Sequence, residues 1–497
     1  MGSYITFPEL LLWLPLLAGI GCFFIKKQET AKNMAILASI LVLAVSVASL
    51  FYTDAVQYAS YNRVNYYWLK QIGSSFYIGL DETGRLLTFL TALSFPIIFI
   101  TTQKNNYKNP GAFYGLMLLT MAGLMGVFVA LDALVFYFFW ELALIPVYFL
   151  CSRWGGEKRI QSTFKFFVYT FAGSLLMLVG IMYVYMHTPE RLFGDGHVSA
   201  HSFALQSFVN ASLDAGQQQW LFWCFFIAFA IKMPVFPFHT WQPATYDQSP
   251  TSVTMVLSGI MVKMGLFGVI RWLIPVFPAA TDMFANVVII LCIIGIIYAS
   301  CIAMVQDNLK TLVAYSSIAH IGLMCAALFA LNELSVQGAM IQLFSHGINI
   351  IGMWIVIDMI ERQTGVKHIS QLGGIAQKAP VLTIFLVIIA LANIALPLTN
   401  AFVGEFLMFG GLFEANAWYA VAAGISIILA AVYTLRMIQK VFFGETNAVT
   451  ASIRDISFVE KASLGVIVVF IFLLGVMPQH IIEFTREAVS TLIALKQ

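Results

Sequence analysis

About fourteen stretches of this chain are apolar for long enough to cross a lipid bilayer, at roughly 20 residues per span, and nothing else in it constrains the fold as much. They centre on residues 4–24, 32–52, 84–101, 112–131, 132–151, 163–186, 218–238, 252–273, 283–304, 309–329, 335–359, 381–404, 416–439 and 460–477. Hydrocarbon offers no water to stray backbone N–H and C=O groups, so runs of this kind have to be helices. The expected fold class is therefore all-α and integral to the membrane, with 60% hydrophobic and only 10% charged residues placing the chain outside the soluble range. A formal net charge of +2 supplies no basic field of the kind that attracts nucleic acid, so no nucleic-acid partner is expected.

The six cysteines are scattered, with no CxxC pair, which excludes the spacing of a zinc site or an iron-sulfur cluster. No GxGxxG, Walker loop or HExxH is present either. No metal, cofactor or redox centre is expected on this chain. Met1-Gly2 opens a formal myristoylation pattern, but a spanning helix beginning at once leaves an acyl anchor little to add. Tyr4 to Phe24 is long and has no basic residue before it, which reads as a membrane helix rather than a cleaved signal peptide.

Charge asymmetry sets the expected orientation. With the amino terminus outside, 17 of the 26 lysines and arginines fall on the cytoplasmic side and seven on the other, while Lys232 and Lys263 are buried. That bias places both termini outside the cytoplasm. Two runs are interrupted by proline, at Pro234 and Pro237 and at Pro397. Proline removes a helical hydrogen bond and clashes with the preceding turn, so both helices should be broken. They are the seventh and twelfth in the count, five apart; an odd block reverses direction in the membrane, the spacing of inverted repeats whose broken helices mark a transport site near the midplane. The expected organisation is 1–111 for the first three helices, 112–273 and 274–440 for two inverted five-helix repeats, and 441–497 for a last helix and tail.

Four charges stand inside these runs: Glu141, Lys232, Lys263 and Glu405. Each costs roughly 2.5–3.5 kcal/mol at the bilayer centre unless paired or hydrated, so each is a candidate for function. Tyr137 and Tyr148 share a helix face with Glu141, and their hydroxyls are placed to bond the carboxylate. Lys232 precedes the first break, where freed carbonyls could solvate an ammonium group. Burial favours a neutral lysine and a carboxylate neighbour a charged one, so Glu141 with Lys232 could hold a proton that small rearrangements release. Lys263 is about ten residues from either helix end, too deep for its side chain to snorkel. Ser316 and His320 lie four apart, and Gln342, His346 and Asn349 form a polar stripe on the next helix. Imidazole both donates and accepts protons near neutral pH, which makes His320 and His346 candidate relays between Lys263 and Glu405. His187, His197, His201 and His368 fall near helix ends or in loops and are expected to be solvated. Lys165 reads first as a topology determinant, Lys310 lies beside Asp307, and Asp132 suits a helix N-cap.

AFAIKMPVFPFHT at Ala228 to Thr240 resembles a signature of the antiporter-like membrane subunits of respiratory complex I, the proton-pumping NADH:quinone oxidoreductase. The match continues in FYFFWELALIP from Phe136, VKMGLFG from Val262, NLKTLVAYSSIAHIG from Asn308, FSHGI from Phe344 and FVGEF from Phe402. Glu405 is acidic where relatives generally carry lysine, which is similar to the M-type branch. The resemblance implies fourteen core helices, neighbouring membrane subunits as partners, and flavin, iron-sulfur clusters and quinone held by partner subunits. It also implies that Glu141, Lys232, Lys263, His320, His346 and Glu405 carry protons across the bilayer of a bacterial inner membrane. Two stretches depart from the family pattern: at Gln242 to Gln248 the positions where the family carries acidic and imidazole groups hold other residues, and Leu398-Thr399-Asn400-Ala401 replaces Gly-Leu-Ser-Gly. The alternatives are a subunit of an Mrp-type cation/proton antiporter and a structural spacer whose charges are fixed ion pairs.

Overall fold

The computed structural model describes residues 5–52, 61–192, 198–199 and 201–495. The myristoylation pattern at Gly2, and His197 and Lys496, lie outside them. The chain runs through α1 (Phe7–Cys22), α2 (Gln28–Leu50), a hairpin of β1 (Arg63–Leu69) and β2 (Ser74–Gly79), α3 (Glu82–Thr101), α4 (Pro110–Val129), α5 (Ala133–Trp154) and α6 (Arg159–Tyr185). After a two-residue pairing of β3 (Arg191–Leu192) with β4 (Val198–Ser199) come α7 (Ala215–Lys232) and the short α8 (Gln242–Gln248). The second half holds α9 (Thr251–Val276), α10 (Pro278–Val305), α11 (Leu309–Ala330), α12 (Glu333–Thr364), α13 (Pro380–Asn393), α14 (Asn400–Ala415), α15 (Ala417–Phe442), α16 (Phe458–Val476) and α17 (Gln479–Ala494).

Among the described residues, 11 helices are long and apolar enough to cross a membrane, and the protein is a multi-pass membrane protein. The three runs missing from that set have physical reasons. α1 is only 16 residues long. α7 opens on three glutamines and closes on Lys232 at the proline break, which dilutes its apolar content. The run 381–404 is cut in two, 14 residues in α13 and 16 in α14. Among the described residues the all-α expectation holds apart from two small antiparallel strand pairs, and α17 is an amphipathic helix where the sequence suggests a tail. It docks along α12, with Gln337 Nε2 donating to Thr485 Oγ1 at 2.7 Å.

α9 and α12 are wholly enclosed by other helices, whereas α2, α15 and α16 present most of their apolar side chains outward. This ordering follows from the solvent: lipid accepts Ile428, Phe458 and Val469 on the outer faces, and polar side chains are tolerated only where protein can pair them. α12 has 32 residues, about 48 Å of helix at 1.5 Å per residue. Since hydrocarbon is about 30 Å thick, its far turns, with Glu361 and Arg362, reach the polar boundary while its middle lines the core.

Asp132 caps α5, accepting from the backbone of Leu134 and Val135. The same carboxylate takes Ser75 N at 3.1 Å and Ser74 Oγ at 3.2 Å, so it also pins the β1–β2 hairpin to the helix end.

Candidate functional site: a buried polar line across α9, α11, α12 and α14

Both breaks unwind the chain where polar groups gather. After Lys232, Met233 N returns to Phe229 O, Val235 N reaches Ala230 O and the Trp241 indole donates to Ile231 O at 2.9 Å. The carbonyls expected to solvate Lys232 are thus consumed by the turn itself. Lys232 Nζ is buried without a hydrogen-bond partner, 5.4 Å from the centroid of Trp140. Glu141, next to that tryptophan, has Oε1 buried and equally unpartnered. Neither Tyr137 nor Tyr148 bonds this oxygen. Lys232 thus packs over Trp140, and no hydrogen bond joins its ammonium group to Glu141.

The second break runs from Ile394 to Thr399. Leu396 N reaches back to Leu391 O, and Ala395 (φ 56°) and Leu398 (φ 73°) take the left-handed conformation that favours glycine. Gly475 on α16 makes room for this turn, because a Cβ there would run into the Leu398 carbonyl. The unwinding survives without glycines in the break because the neighbouring helix yields the space.

Between the breaks, four of the expected residues meet. Lys263 stands in α9 between two π turns, Leu257–Met261 and Val269–Leu273, the kind of local widening of a helix that recurs at functional positions. Its Nζ donates to Ser258 O at 3.1 Å and lies 2.8 Å from His346 Nδ1. His346 Nε2 is 3.3 Å from Ser317 Oγ. The His346 and His320 rings are 5.7 Å apart, centroid to centroid. His320 Nδ1 then meets Glu405 Oε1 at 3.0 Å, and Gln342 Nε2 donates to the same oxygen at 3.4 Å. An ammonium that donates to His346 Nδ1 leaves that imidazole its proton on Nε2, facing Ser317. A carboxylate at Glu405 similarly keeps the proton of His320 on Nδ1. Gly338 lets α14 approach α12 closely enough for the Gln342 contact: a Cβ there would sit 2.7 Å from Gly404 O.

Ser316, singled out with His320, accepts from Tyr433 OH at 3.0 Å and from Asn393 Nδ2 at 3.3 Å, joining α11 to α15 and α13. Asn349 exchanges amide bonds with Asn400 at the start of α14. Lys232 and Glu141 are not linked by any hydrogen bond to this set. Of the loop histidines, His187 and His201 are half-buried and bonded to the carbonyls of Tyr183 and Thr188, so of the described ones only His368 is solvated as expected.

Several partnerships have no local signal in the sequence. Lys310 pairs with Glu361 at 2.7 Å, not with Asp307 beside it. Asp247 in α8 takes Lys367 at 2.6 Å and Asn308 Nδ2 at 2.7 Å. Burial alone would push the Asp247 carboxyl up, but these donors hold it below the ordinary carboxylate value. Both pairs line an open cavity of about 720 Å³ at one end of the bundle. Arg271, buried in α9, donates through Nη2 alone to both oxygens of the Asp81 carboxylate at the N-cap of α3. Lys165 donates to Thr240 O at 2.8 Å, tying α6 to the first break.

Fold and site together define a multi-pass membrane protein with a buried line of ionisable groups, a lysine, two histidines and a carboxylate strung between broken helices. The membrane family described as NADH:quinone oxidoreductase/Mrp antiporter, TM, matches residues 130–430. NADH-quinone oxidoreductase subunit M of Rickettsia prowazekii is 35% identical over 472 residues, 94% of each chain. A chain of respiratory complex I from Thermus thermophilus with bound NADH superimposes with a TM-score of 0.89 at 26% identity, covering 99% of this chain and 100% of that one. A chain of the Mrp complex of a Dietzia species gives 0.83 at 18% identity, over 99% of both chains, a likeness of fold alone. The chain belongs to the NADH:quinone oxidoreductase/Mrp antiporter membrane family and, within it, to the subunit M group.

Proposed function

We propose that this chain is the proton-translocating M-type membrane subunit of an NADH:quinone oxidoreductase, moving protons while partner subunits reduce quinone. The observation that carries the reading is the buried succession Lys263–His346 at 2.8 Å and His320–Glu405 at 3.0 Å. Each contact is between a proton donor and an acceptor, and imidazole can pass a proton from one nitrogen to the other. Lys263, His346, His320 and Glu405 act as stations of one relay. Glu141 and Lys232 form the other end, where the carboxylate sets the proton occupancy of the lysine through space. The spacing of the breaks supports fourteen core helices in two inverted five-helix repeats, 112–273 and 274–440, with 1–111 before them and 441–497 after. The lysine and arginine bias supports both termini outside the cytoplasm, and the likeness to bacterial subunit M chains supports a bacterial inner membrane.

Among the described residues no group of three His, Cys, Asp or Glu side chains is arranged to hold a metal ion. The likeness to NADH-quinone oxidoreductase subunit M supports assigning flavin, iron-sulfur clusters and quinone to partner subunits, and the neighbours of this chain are other membrane subunits of the complex. The test is to solubilise gently, purify by this chain, and assay the assembly for flavin and iron-sulfur absorbance, NADH:quinone activity and NADH-driven proton uptake after reconstitution. Sodium-dependent exchange without any NADH activity would overturn the reading in favour of an Mrp-type antiporter.

A further inference from the structure

Beside the His320–Glu405 contact the structure has a cavity of about 20 Å³. Its walls come from α10, α11, α14 and α15, and its polar lining is Ser300, His320, Glu405, Ser426 and Tyr433. Three of these five are already engaged. Tyr433 OH donates to Ser316, Ser426 Oγ donates to Ala423 O, and Glu405 Oε1 holds His320 Nδ1. The other two present buried atoms with no partner: Ser300 Oγ and His320 Nε2, on residues only 0% and 7% exposed.

An unpaired polar atom in a dry interior costs about 1–3 kcal/mol, and two in one place would be a poor arrangement in a stable fold. The space is the size of one water, for which roughly 10–15 Å³ suffices, and the polar lining offers the partners a water needs. Glu405 as acceptor fixes the His320 proton on Nδ1, so Nε2 presents a lone pair, and a hydroxyl such as Ser300 can donate or accept as required.

We infer that this cavity is a single-water site in which one water donates to His320 Nε2 and bonds Ser300 Oγ, making Ser300 a positioning residue of the relay. The inference rests on the relay reading of His320 and Glu405. The water gives His320 a second hydrogen-bonded neighbour that no side chain supplies. A proton delivered through it to Nε2 releases the Nδ1 proton to Glu405 Oε1, so one proton enters the imidazole and one leaves, and the ring ends neutral as the opposite tautomer.

The test uses the assembled complex. Imaged at a resolution that shows ordered waters, the wild type should have a density peak within hydrogen-bond distance of both His320 Nε2 and Ser300 Oγ. Ser300→Ala, which removes one anchor without adding bulk, should lose that peak while His320 stays on Glu405. It should also slow NADH-driven proton uptake at equal complex content by roughly two- to tenfold, the equivalent of one lost hydrogen bond. An empty cavity in the wild type, or a lost peak with unchanged uptake, overturns the inference. The relay reading is tested separately by Glu405→Ala: if uptake survives that substitution, the relay fails although the water peak stands.

Discussion

Lys263 of α9 and His346 of α12 meet at 2.8 Å in the most enclosed part of the protein, 83 residues apart in sequence. The ammonium group has one other acceptor, Ser258 O. His346→Ala leaves Lys263 without its side-chain partner and breaks the path to Ser317. We expect NADH-driven proton uptake to fall roughly tenfold or more, the scale of a lost acid–base group. His346→Gln offers an acceptor for the lysine yet cannot carry a proton, so it should fold as wild type and transport as poorly as the alanine variant. Uptake by the glutamine variant equal to wild type would mean the contact is purely structural.

Glu405 takes hydrogen bonds from His320 and Gln342 on one oxygen. Glu405→Gln preserves the shape and removes the negative charge. It should abolish most coupled uptake while leaving assembly intact. Glu405→Lys restores a titratable group but sets a cation against an imidazole that now donates. It should fall between wild type and Glu405→Ala if any titratable group suffices, and match the alanine variant if a carboxylate is required. Uptake in reconstituted vesicles, normalised to NADH oxidation by the same preparation, distinguishes the two.

Asp132 ties the start of α5 to the hairpin through hydrogen bonds from Leu134, Val135, Ser75 and Ser74. Asp132→Asn keeps a good cap and an amide oxygen for these donors, so it should lower the melting temperature of the purified complex less than Asp132→Ala. Asp132→Ala removes cap and hairpin anchor together and should cost about 2 kcal/mol or more.

Gly475 gives the second break its space. Gly475→Ala forces a methyl against the Leu398 carbonyl, and since that neighbour is backbone the strain has no flexible side chain to absorb it. The expected loss is about 1–3 kcal/mol, with a lowered melting temperature and a displaced α13–α14 turn. Leu398→Gly should act in the opposite direction by relieving the residue at φ 73°, by about 1 kcal/mol, a cost typical of left-handed L-residues.

Much of the candidate site is legible in the residues alone. Lys263, His320, His346 and Glu405 stand out because charge and imidazole are expensive inside apolar runs, and proline marks both breaks. Which group faces which is not legible. Glu141 reads as the carboxylate that sets the proton of Lys232, and the break as a source of carbonyls for the ammonium group; in the fold Trp140 lies beside Lys232 and the turn keeps its own carbonyls. Lys310 takes Glu361 over the adjacent Asp307, and Asp247 takes Lys367, because pairing at the bundle end depends on how α8, α11 and α12 converge.

The sequence by itself determined that this is a membrane protein of stacked helices with charges placed against the cost of burial. It did so because hydrocarbon penalises each unpaired polar group strongly enough to be visible one residue at a time. Only the tertiary structure settles the pairings: Lys263 with His346, His320 with Glu405, and Ser300 with His320 on the wall of one small cavity. Those depend on helix approach and rotation at the scale of a hydrogen bond, set by packing across segments far apart in the chain and by nothing local to either partner.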